Sequence, residues 1–349
     1  MTVLFFVFAT FWLGRLFGKA DTECPHTAYP PIIRNVSSTN FRIVQYNVEW
    51  LFVDYYSPMN CPGTGCTWVN TSEAKTHLKY VANVVRNLRP DIMNMCEVEG
   101  CDELDMLRSA VGGNTYEYYL RKGTDTSTGQ NVGMFTRIDP LVDLSRTEAK
   151  VAYPIPGSQC GYVGAGGSVG VSKHYYTTYY WYGRYVLFVG VHLLAYPEDP
   201  TRCAEREAQA QVIQNLIVEF ISKGYEVLVI GDFNDFDGQV LDANNNRPKS
   251  QVLEIVKGTR GAQSNKYVLY NAAQKMAQSE RWTDWWDKNE NCVSSADEFS
   301  SIDHVLMTPF LYSKIKRVSV YHGYSEFCGK YNSDHYPVVV DMEFPYSTH

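Results

Sequence analysis

The chain predicts a single α/β domain of strands with interspersed helices, on three observations. Apolar, β-branched runs such as Val227-Leu228-Val229-Ile230 recur, and each breaks off at a carboxylate, an amide or a histidine. Apolar residues at helical spacing fall between these runs. No composition shift after residue 40 marks a linker. The run at 227–230 is the clearest case: Gly231 reads as a sharp exit, and Asp232, Phe233, Asn234 and Asp235 follow. Alone, this stretch is equally a solvated turn, because Asp and Asn are common turn residues. Two stretches of the same kind change the balance. One is Ile302-Asp303-His304-Val305-Leu306; the other is Ser333-Asp334-His335 running into Tyr336-Pro337-Val338-Val339-Val340.

Taken in order, residues 1–20 differ in kind from the rest. Val3 to Leu13 is an apolar run of signal-peptide length, and Gly18-Lys19-Ala20 offers small residues at a cleavage site. The run is shorter than the roughly 20 apolar residues that a membrane span needs. Export with cleavage is therefore expected, with an uncleaved anchor as the alternative. Residues 21–40 lack periodicity and read as a lead-in free to move. The domain then fills 41–349. Phe41 to Val48 alternates as a strand and ends in Asn47-Val48-Glu49-Trp50. Residues 53–70, with their prolines and glycines, read as a loop. Leu78, Val81, Val84, Val85 and Leu88 repeat at helical spacing, with caps among Asn70 to Ser72 and Pro90 as the stop. Asp91 to Cys96 is a strand ending in Glu97-Val98-Glu99. A Gly- and Thr-rich hairpin region precedes a strand from Val132 to Arg137, and a Gly-rich loop spans 153–170. The 175–185 run is rich in tyrosine, and Arg184 to Val191 is a strand ending at His192. Val212, Ile213, Leu216, Ile217 and Phe220 mark a second amphipathic helix, and 237–265 is polar with one helical patch.

With 349 residues, 45% of them hydrophobic, the chain can bury one large core. Its net charge of −7 excludes binding of nucleic acid by broad phosphate neutralisation. A phosphate-bearing partner must be met locally, with a metal ion supplying positive charge. Nine cysteines all follow residue 20, none at zinc-knuckle spacing, which in an exported chain predicts disulfides. Spacing favours Cys61 with Cys66 and Cys292 with Cys328, and an odd count leaves a thiol over. Asn35-Val36-Ser37 and Asn70-Thr71-Ser72 are glycosylation sequons.

Five strands are expected to end in residues suited to catalysis: Asn47, Glu97, His192, Asp232 with Asn234, and Asp334 with His335. One such residue is usually a solvated carboxylate or a structural histidine. Five at the C-terminal ends of neighbouring strands make one site. Their oxygens suit Mg²⁺ or Mn²⁺ rather than zinc. The histidines suit acid–base work near neutral pH. A Walker A loop and a His-Glu-x-x-His pair are missing from the sequence.

The order Asn-Val-Glu-Trp, Asp-Ile-x-x-x-x-Glu-Val, a strand ending in His, Gly-Asp-Phe-Asn-Asp, Ile-Asp-His-Val-Leu and Ser-Asp-His-Tyr-Pro-Val resembles the endonuclease/exonuclease/phosphatase superfamily over residues 41–344. That superfamily includes deoxyribonuclease I, abasic-site endonucleases, secreted sphingomyelinases and inositol polyphosphate phosphatases. The resemblance implies a four-layer α/β sandwich, two mixed β-sheets face to face with helices on the outer faces. It implies Glu97 as principal metal ligand, with Asn47 and Asp334 assisting, for Mg²⁺ or Mn²⁺ and with a structural Ca²⁺ besides. His335 then matches the histidine that activates water or stabilises the transition state, oriented by Asp303. Asp232 and Asn234 match the pair that positions nucleophile and phosphate. His192 matches the second histidine of the deoxyribonuclease and sphingomyelinase branches. Gln130 stands where deoxyribonuclease I has a supporting glutamate, which weakens any acid role for His192, and Asn131 becomes a candidate phosphate contact.

The resemblance implies a secreted or lumenal, monomeric, metal-dependent phosphodiesterase, first of all a nuclease acting on DNA and also on RNA. Trp282, Trp285 and Trp286 lie just before Asp303, where Trp285 could stack on a base, or pack in the core. The alternatives are a secreted sphingomyelinase, entering membrane through the Tyr-rich 175–185 run, and a non-catalytic binding protein on the same scaffold. A phosphomonoesterase is disfavoured by the lack of a dense Lys/Arg cluster.

Overall fold

The computed structural model describes residues 24–36, 40–53, 67–324 and 332–343. Strand alternation divides three hydrophobic cores between four layers. On strand β8 (Arg184–His192), Val186 and Phe188 face a central core, while Leu187, Val189 and Val191 face the other way. On β9 (Glu226–Asp232), Leu228 and Ile230 point inward and Val227 and Val229 outward. Both faces are apolar, which is why the run at 227–230 is continuous rather than alternating.

The first sheet runs β14 (Ile315–Val320), β15 (Val338–Glu343), β1 (Asn40–Leu51), β2 (Ile92–Val98), β4 (Asn131–Thr136), β3 (Glu117–Leu120). The second runs β10 (Tyr270–Asn271), β13 (Asp303–Met307), β9, β8, β7 (Lys173–Trp181). Each is mixed: β1 pairs parallel with β2, and β8 parallel with β9, while β15 and β13 enter antiparallel beside them. Helices α1 (Thr71–Leu88) and α2 (Cys101–Val111) cover the first sheet. Helices α3 (Pro200–Ser222) and α4 (Val252–Val256) cover the second, and α5 (Pro309–Ser313) follows β13. Two small ladders, β5 (Val151–Tyr153) with β6 (Gly167–Val169) and β11 (Asp284–Trp285) with β12 (Phe299–Ser300), fold the loops. The fold is the expected four-layer sandwich.

Local chemistry explains most boundaries. Asn70 caps α1, its side-chain oxygen accepting from the Glu73 N–H at 3.0 Å. The helix stops at Leu88 because Arg89 turns left-handed, one residue before Pro90. Gly231 is not a turn residue. It lies within β9, where a Cβ would overlap the Val191 carbonyl oxygen, so glycine lets β8 and β9 approach. Helix α2 was not anticipated, since its start at Gly100 carries no capping side chain. The Gly-rich 153–170 loop contains part of a small ladder.

The lead-in is fastened, not free. Cys24 is bonded to Cys101 at the start of α2. Thr27 N–H and His26 Nδ1 both meet the Asp143 carboxylate at 2.7 Å, and Arg34 pairs with the buried Asp139. Cys160 is bonded to Cys203. The expected pairs Cys61–Cys66 and Cys292–Cys328 fall on Cys61, Cys66 and Cys328, which lie outside the described residues, as does the 1–20 segment. Cys292 is itself disulfide-bonded. Cys96 is the buried free thiol among the described residues. No helix among them is long and apolar enough to cross a membrane.

The Cys24–Cys101 bond spans 77 residues, so opening it returns much loop entropy to the unfolded chain. Replacing Cys24 with Ser is expected to lower the unfolding free energy by about 2–4 kcal/mol. Urea unfolding of the oxidised protein reads this directly; an unchanged midpoint would mean that the polar contacts of 26–34 suffice to hold the lead-in.

Candidate active site

Strand direction gathers the site at one edge. Asn47, Glu97, His192 and Asp232 sit at or near the C-terminal ends of β1, β2, β8 and β9. Asp303 and His335 do not: Asp303 opens β13, and His335 lies just before β15. The expectation of C-terminal ends throughout is corrected here. Because β13 and β15 run antiparallel to β9 and β1, their starts fall beside their neighbours' ends, and Asp303 pairs directly with Asp232.

Irregular backbone aims the side chains. The β1–β2 register shifts between Asn47 and Leu51, where Glu49 and Trp50 are left-handed (φ 49° and 53°). This bulge turns the Trp50 N–H onto Glu97 Oε2 at 3.1 Å. Glu97 itself is left-handed (φ 65°) at a second register shift, between β2 and β4. Asn234 is left-handed too (φ 50°), a conformation asparagine tolerates. Its N–H holds Asp232 Oδ1 at 2.8 Å, and its side-chain amide donates to the Leu193 carbonyl at 3.1 Å.

His335 Nδ1 meets Asp303 Oδ2 at 2.7 Å, and Gln45 Nε2 donates to Asp303 Oδ1 at 2.9 Å. His335 Nε2 faces an arc of acids: Asp284 at 3.6 Å, Asp232 and Asp334 each at 4.0 Å. Asn47 Nδ2 lies between the carboxylates, donating to Asp232 Oδ2 at 3.0 Å and Glu97 Oε1 at 3.3 Å. Asn47 was expected to offer an oxygen to a metal; instead its Oδ1 accepts from the Glu49 N–H at 3.1 Å. His192 Nε2 stands 3.5 Å from Asp232 Oδ2 and 3.9 Å from Glu97 Oε1. Lys173, opposite His192 in the β7–β8 ladder, places Nζ 3.5 Å from that same Nε2.

Burial and crowding push these groups apart in charge. Burial, then Asp303, raises the Asp232 carboxyl to about 7, although His335 opposes this. Burial likewise raises Asp284 to about 7, with Asp334 adding to it and His335 opposing. Glu97 and Asp334 are raised for the same first reason. His335 goes well above the ordinary imidazole value: burial opposes its charge, but Asp303, Asp334 and Asp284 together outweigh it. His192 goes well below, through burial, Lys173 and His335. The two imidazoles are thus pushed in opposite directions, His335 up and His192 down.

Two expected contacts fail. Trp285 is fully buried, and its indole N–H bonds Glu298 at 3.0 Å, so it offers no face to a base. Of the three tryptophans, Trp286 is the exposed one, at 69%, while Trp282 stacks on His322. Asn131 is buried, and its amide donates to the Glu99 and Gly129 carbonyls at 2.8 and 3.2 Å, so it is a structural brace. Gln130 does not reach His192 as expected; its Oε1 accepts from Lys173 Nζ at 3.0 Å. Three residues escaped the sequence reading: Lys173, Gln45 and Asp284. Asp284 arrives because residues 283–285 pair with 334–336, a contact no local signal announces. Nothing among the described residues supports a structural Ca²⁺ site; the one three-ligand cluster away from the site contains Cys160 and Cys203, which are bonded to each other.

The donor set fits a divalent cation. Asp284, Asp334 and His335 offer ligand atoms within 4.8 Å of one another, and the neighbouring Glu97 adds a carboxylate raised by burial.

A family model described as the endonuclease/exonuclease/phosphatase family matches residues 44–335. The chain belongs to that family. Solved structures agree on the fold. A family protein from Leptotrichia buccalis is 16% identical, covering 87% of this chain and 100% of its own, at TM-score 0.52. Truncated TDP2 from Caenorhabditis elegans is 15% identical, covering 87% and 97%, at 0.51. NExo from Neisseria, a 3′ phosphatase bound to product DNA hairpin, is 14% identical, covering 87% and 100%, at 0.52. No curated protein matches the chain in sequence. Enzymes of the endonuclease/exonuclease/phosphatase family are phosphoester hydrolases that use divalent metals, and this chain carries the acidic and histidine groups for that chemistry.

The raised carboxyls carry a pH signature. An unfolded Asp loses its proton near 4, whereas folded Asp232 and Asp284 lose theirs at about 7. The folded chain holds more protons across that window, so the stability these groups contribute falls as pH rises through it. A divalent cation competes with those protons. The rise in Tm on adding Mg²⁺ is expected to be larger at pH 8 than at pH 5 and to shrink in Glu97→Gln. Thermal melts with Mg²⁺ and with chelator check it; an equal rise at both pH values would place the ion elsewhere.

Proposed function

We propose that the protein is an exported, divalent-metal-dependent phosphodiesterase that cuts nucleic acid, DNA first and RNA second, acting as a monomer. The observation that carries this reading is the pair of imidazoles on either side of Asp232, His192 Nε2 at 3.5 Å and His335 Nε2 at 4.0 Å from Oδ2, with Lys173 beside them. Direct attack by water on a diester needs its negative charge neutralised, and His335 and Lys173 stand where they can do so. The Cys24–Cys101 and Cys160–Cys203 disulfides support export.

Glu97, Asp334 and Asp284 would hold Mg²⁺ or Mn²⁺, which when bound polarises the phosphoryl oxygens. The remaining roles fall to protein groups. Asp232, held through Oδ1 by Asn234 and through Oδ2 by Asn47, would receive a proton from the attacking water. A carboxyl near 7 is matched to that task at neutral pH. His335, fixed by Asp303 and cationic, stabilises negative charge developing on the phosphoryl oxygens. Lys173 provides a second fixed cation. His192, pushed down by burial and Lys173, would orient the substrate rather than give a proton.

The phospholipid alternative loses its support. Tyr175 and Tyr179 are core residues, and the exposed Tyr180 and Tyr185 flank the turn at the opposite end of β7 and β8 from His192. Eight residue steps of about 3.4 Å put that turn about 27 Å from the site. Exposed Trp286 remains for stacking. A DNA-bound structure of the same fold, NExo, is compatible with such a substrate. Purified protein should cut plasmid DNA with Mg²⁺ and not with chelator; cleavage of sphingomyelin alone would overturn the nuclease reading.

His335→Ala should lower kcat by about 10² to 10⁴ with the fold intact. Asp303→Asn should lose less. The double variant should be little worse than His335→Ala, because paired residues are non-additive. Additive losses in the three kcat values would show that the two act separately.

A further inference from the structure

Helix α3 buries a row of polar side chains, Arg206, Glu207, Gln209, Gln211 and Gln214, where a helix packed on a sheet ordinarily buries apolar ones. Two of these grip the strand exits of the active site. Arg206 Nη1 donates to the Leu194 carbonyl at 3.0 Å, and Gln209 Oε1 accepts from the Leu194 N–H at 3.1 Å. Both polar groups of one backbone residue, two positions after His192, are thus taken up by one helix. The other arm of Arg206, Nη2, reaches Asp235 Oδ2 at 3.3 Å, one residue after Asn234. The other end of Gln209, Nε2, donates to the Gly170 carbonyl at 3.2 Å, on the approach to Lys173. Arg206 and Gln209 are themselves 0% and 1% exposed, so neither meets solvent or substrate.

We infer that Arg206 and Gln209 are positioning residues: one helix turn sets the spacing between the strand exits that carry His192, the Asp232–Asn234 turn and Lys173. The planar guanidinium suits this, since its rigid fork serves two acceptors in fixed directions, which an ammonium does not. Asp235 is in turn fixed by the Ser250 hydroxyl and by the Phe236 N–H at 2.8 Å, so the arm has a rigid target. All three exits belong to the second sheet. Glu97 and Asp334 belong to the first, and the latch does not touch them. Damage to the latch should therefore separate turnover from metal binding, which general destabilisation does not do.

The inference rests on the hydrolytic reading of this site. The test uses the full-length mature protein with Arg206→Lys, Arg206→Met and Gln209→Met. Gln209→Met removes no buried charge and covers the case in which Arg206→Met does not fold. Three quantities are read: kcat and KM on plasmid DNA and on bis-nitrophenyl phosphate, Mn²⁺ affinity by calorimetry, and amide exchange by peptide mass spectrometry. Gln209→Met should lose at least tenfold in kcat, with KM and Mn²⁺ affinity within twofold. Arg206→Lys should retain more kcat than Arg206→Met. Exchange should quicken at 170–173, 192–195 and 233–236 and stay unchanged in β1 and β2. Unchanged kcat in folded variants would overturn the inference, as would kcat, Mn²⁺ affinity and protection falling together. A wild-type protein that hydrolyses no phosphodiester would defeat the hydrolytic reading instead. Exchange and Mn²⁺ affinity would then still decide the latch: quickening confined to those three segments supports it, and none there overturns it.

Discussion

The hydrogen bond between His335 and Asp303 joins the two sheets, and the site depends on it. His335 leads into the first sheet and Asp303 opens the second. Behind them a buried polar chain continues through the sandwich. Gln45 on β1 bonds Asp303, Asn94 on β2 donates to Gln45 at 2.6 Å, and the Tyr175 hydroxyl on β7 bonds Asn94 at 2.8 Å. In an apolar core each of these groups is costly if unmatched, so together they restrict how the sheets slide on one another. Asn47 makes a second crossing, to Asp232. Sheet packing and catalytic geometry are thus set by the same contacts.

The two histidines show how far placement governs chemistry. Both are deeply buried, and burial alone would make both neutral. His335 sits among four carboxylates, which push it up; His192 has Lys173 against its ring, which pushes it further down. For His192 burial comes first, and Lys173, presented from the facing strand, adds to it.

Much of this was legible in the sequence, for reasons that also explain what was not. Strands with apolar residues on both faces leave long runs, so β8 and β9 were plain, and the polar residues where they stop marked Asp232, Asn234 and His192. The resemblance supplied the layers and the His335–Asp303 pairing. Strand direction was misjudged for His335 because a polar residue next to an apolar run looks alike at either end. Lys173 and Asp284 were illegible, since each is a single charged residue made important by a cross-strand partner 19 or 51 residues away. Trp285 and Asn131 misled in the opposite sense: residue type suggested recognition, and only packing shows that their polar atoms are already engaged. The bonds Cys24–Cys101 and Cys160–Cys203 were illegible for a related reason, because they join cysteines 77 and 43 residues apart.

The β7–β8 hairpin closes through Tyr182 and Gly183, both left-handed, in a two-residue loop that matches strand twist. The glycine has nothing within 4 Å of where a Cβ would stand. That tip is a natural handle. A fluorophore, affinity peptide or solid support attached there would project from the pole opposite the reaction centre, leaving a bulky polymer free to approach. The molecule comes with a front and a back.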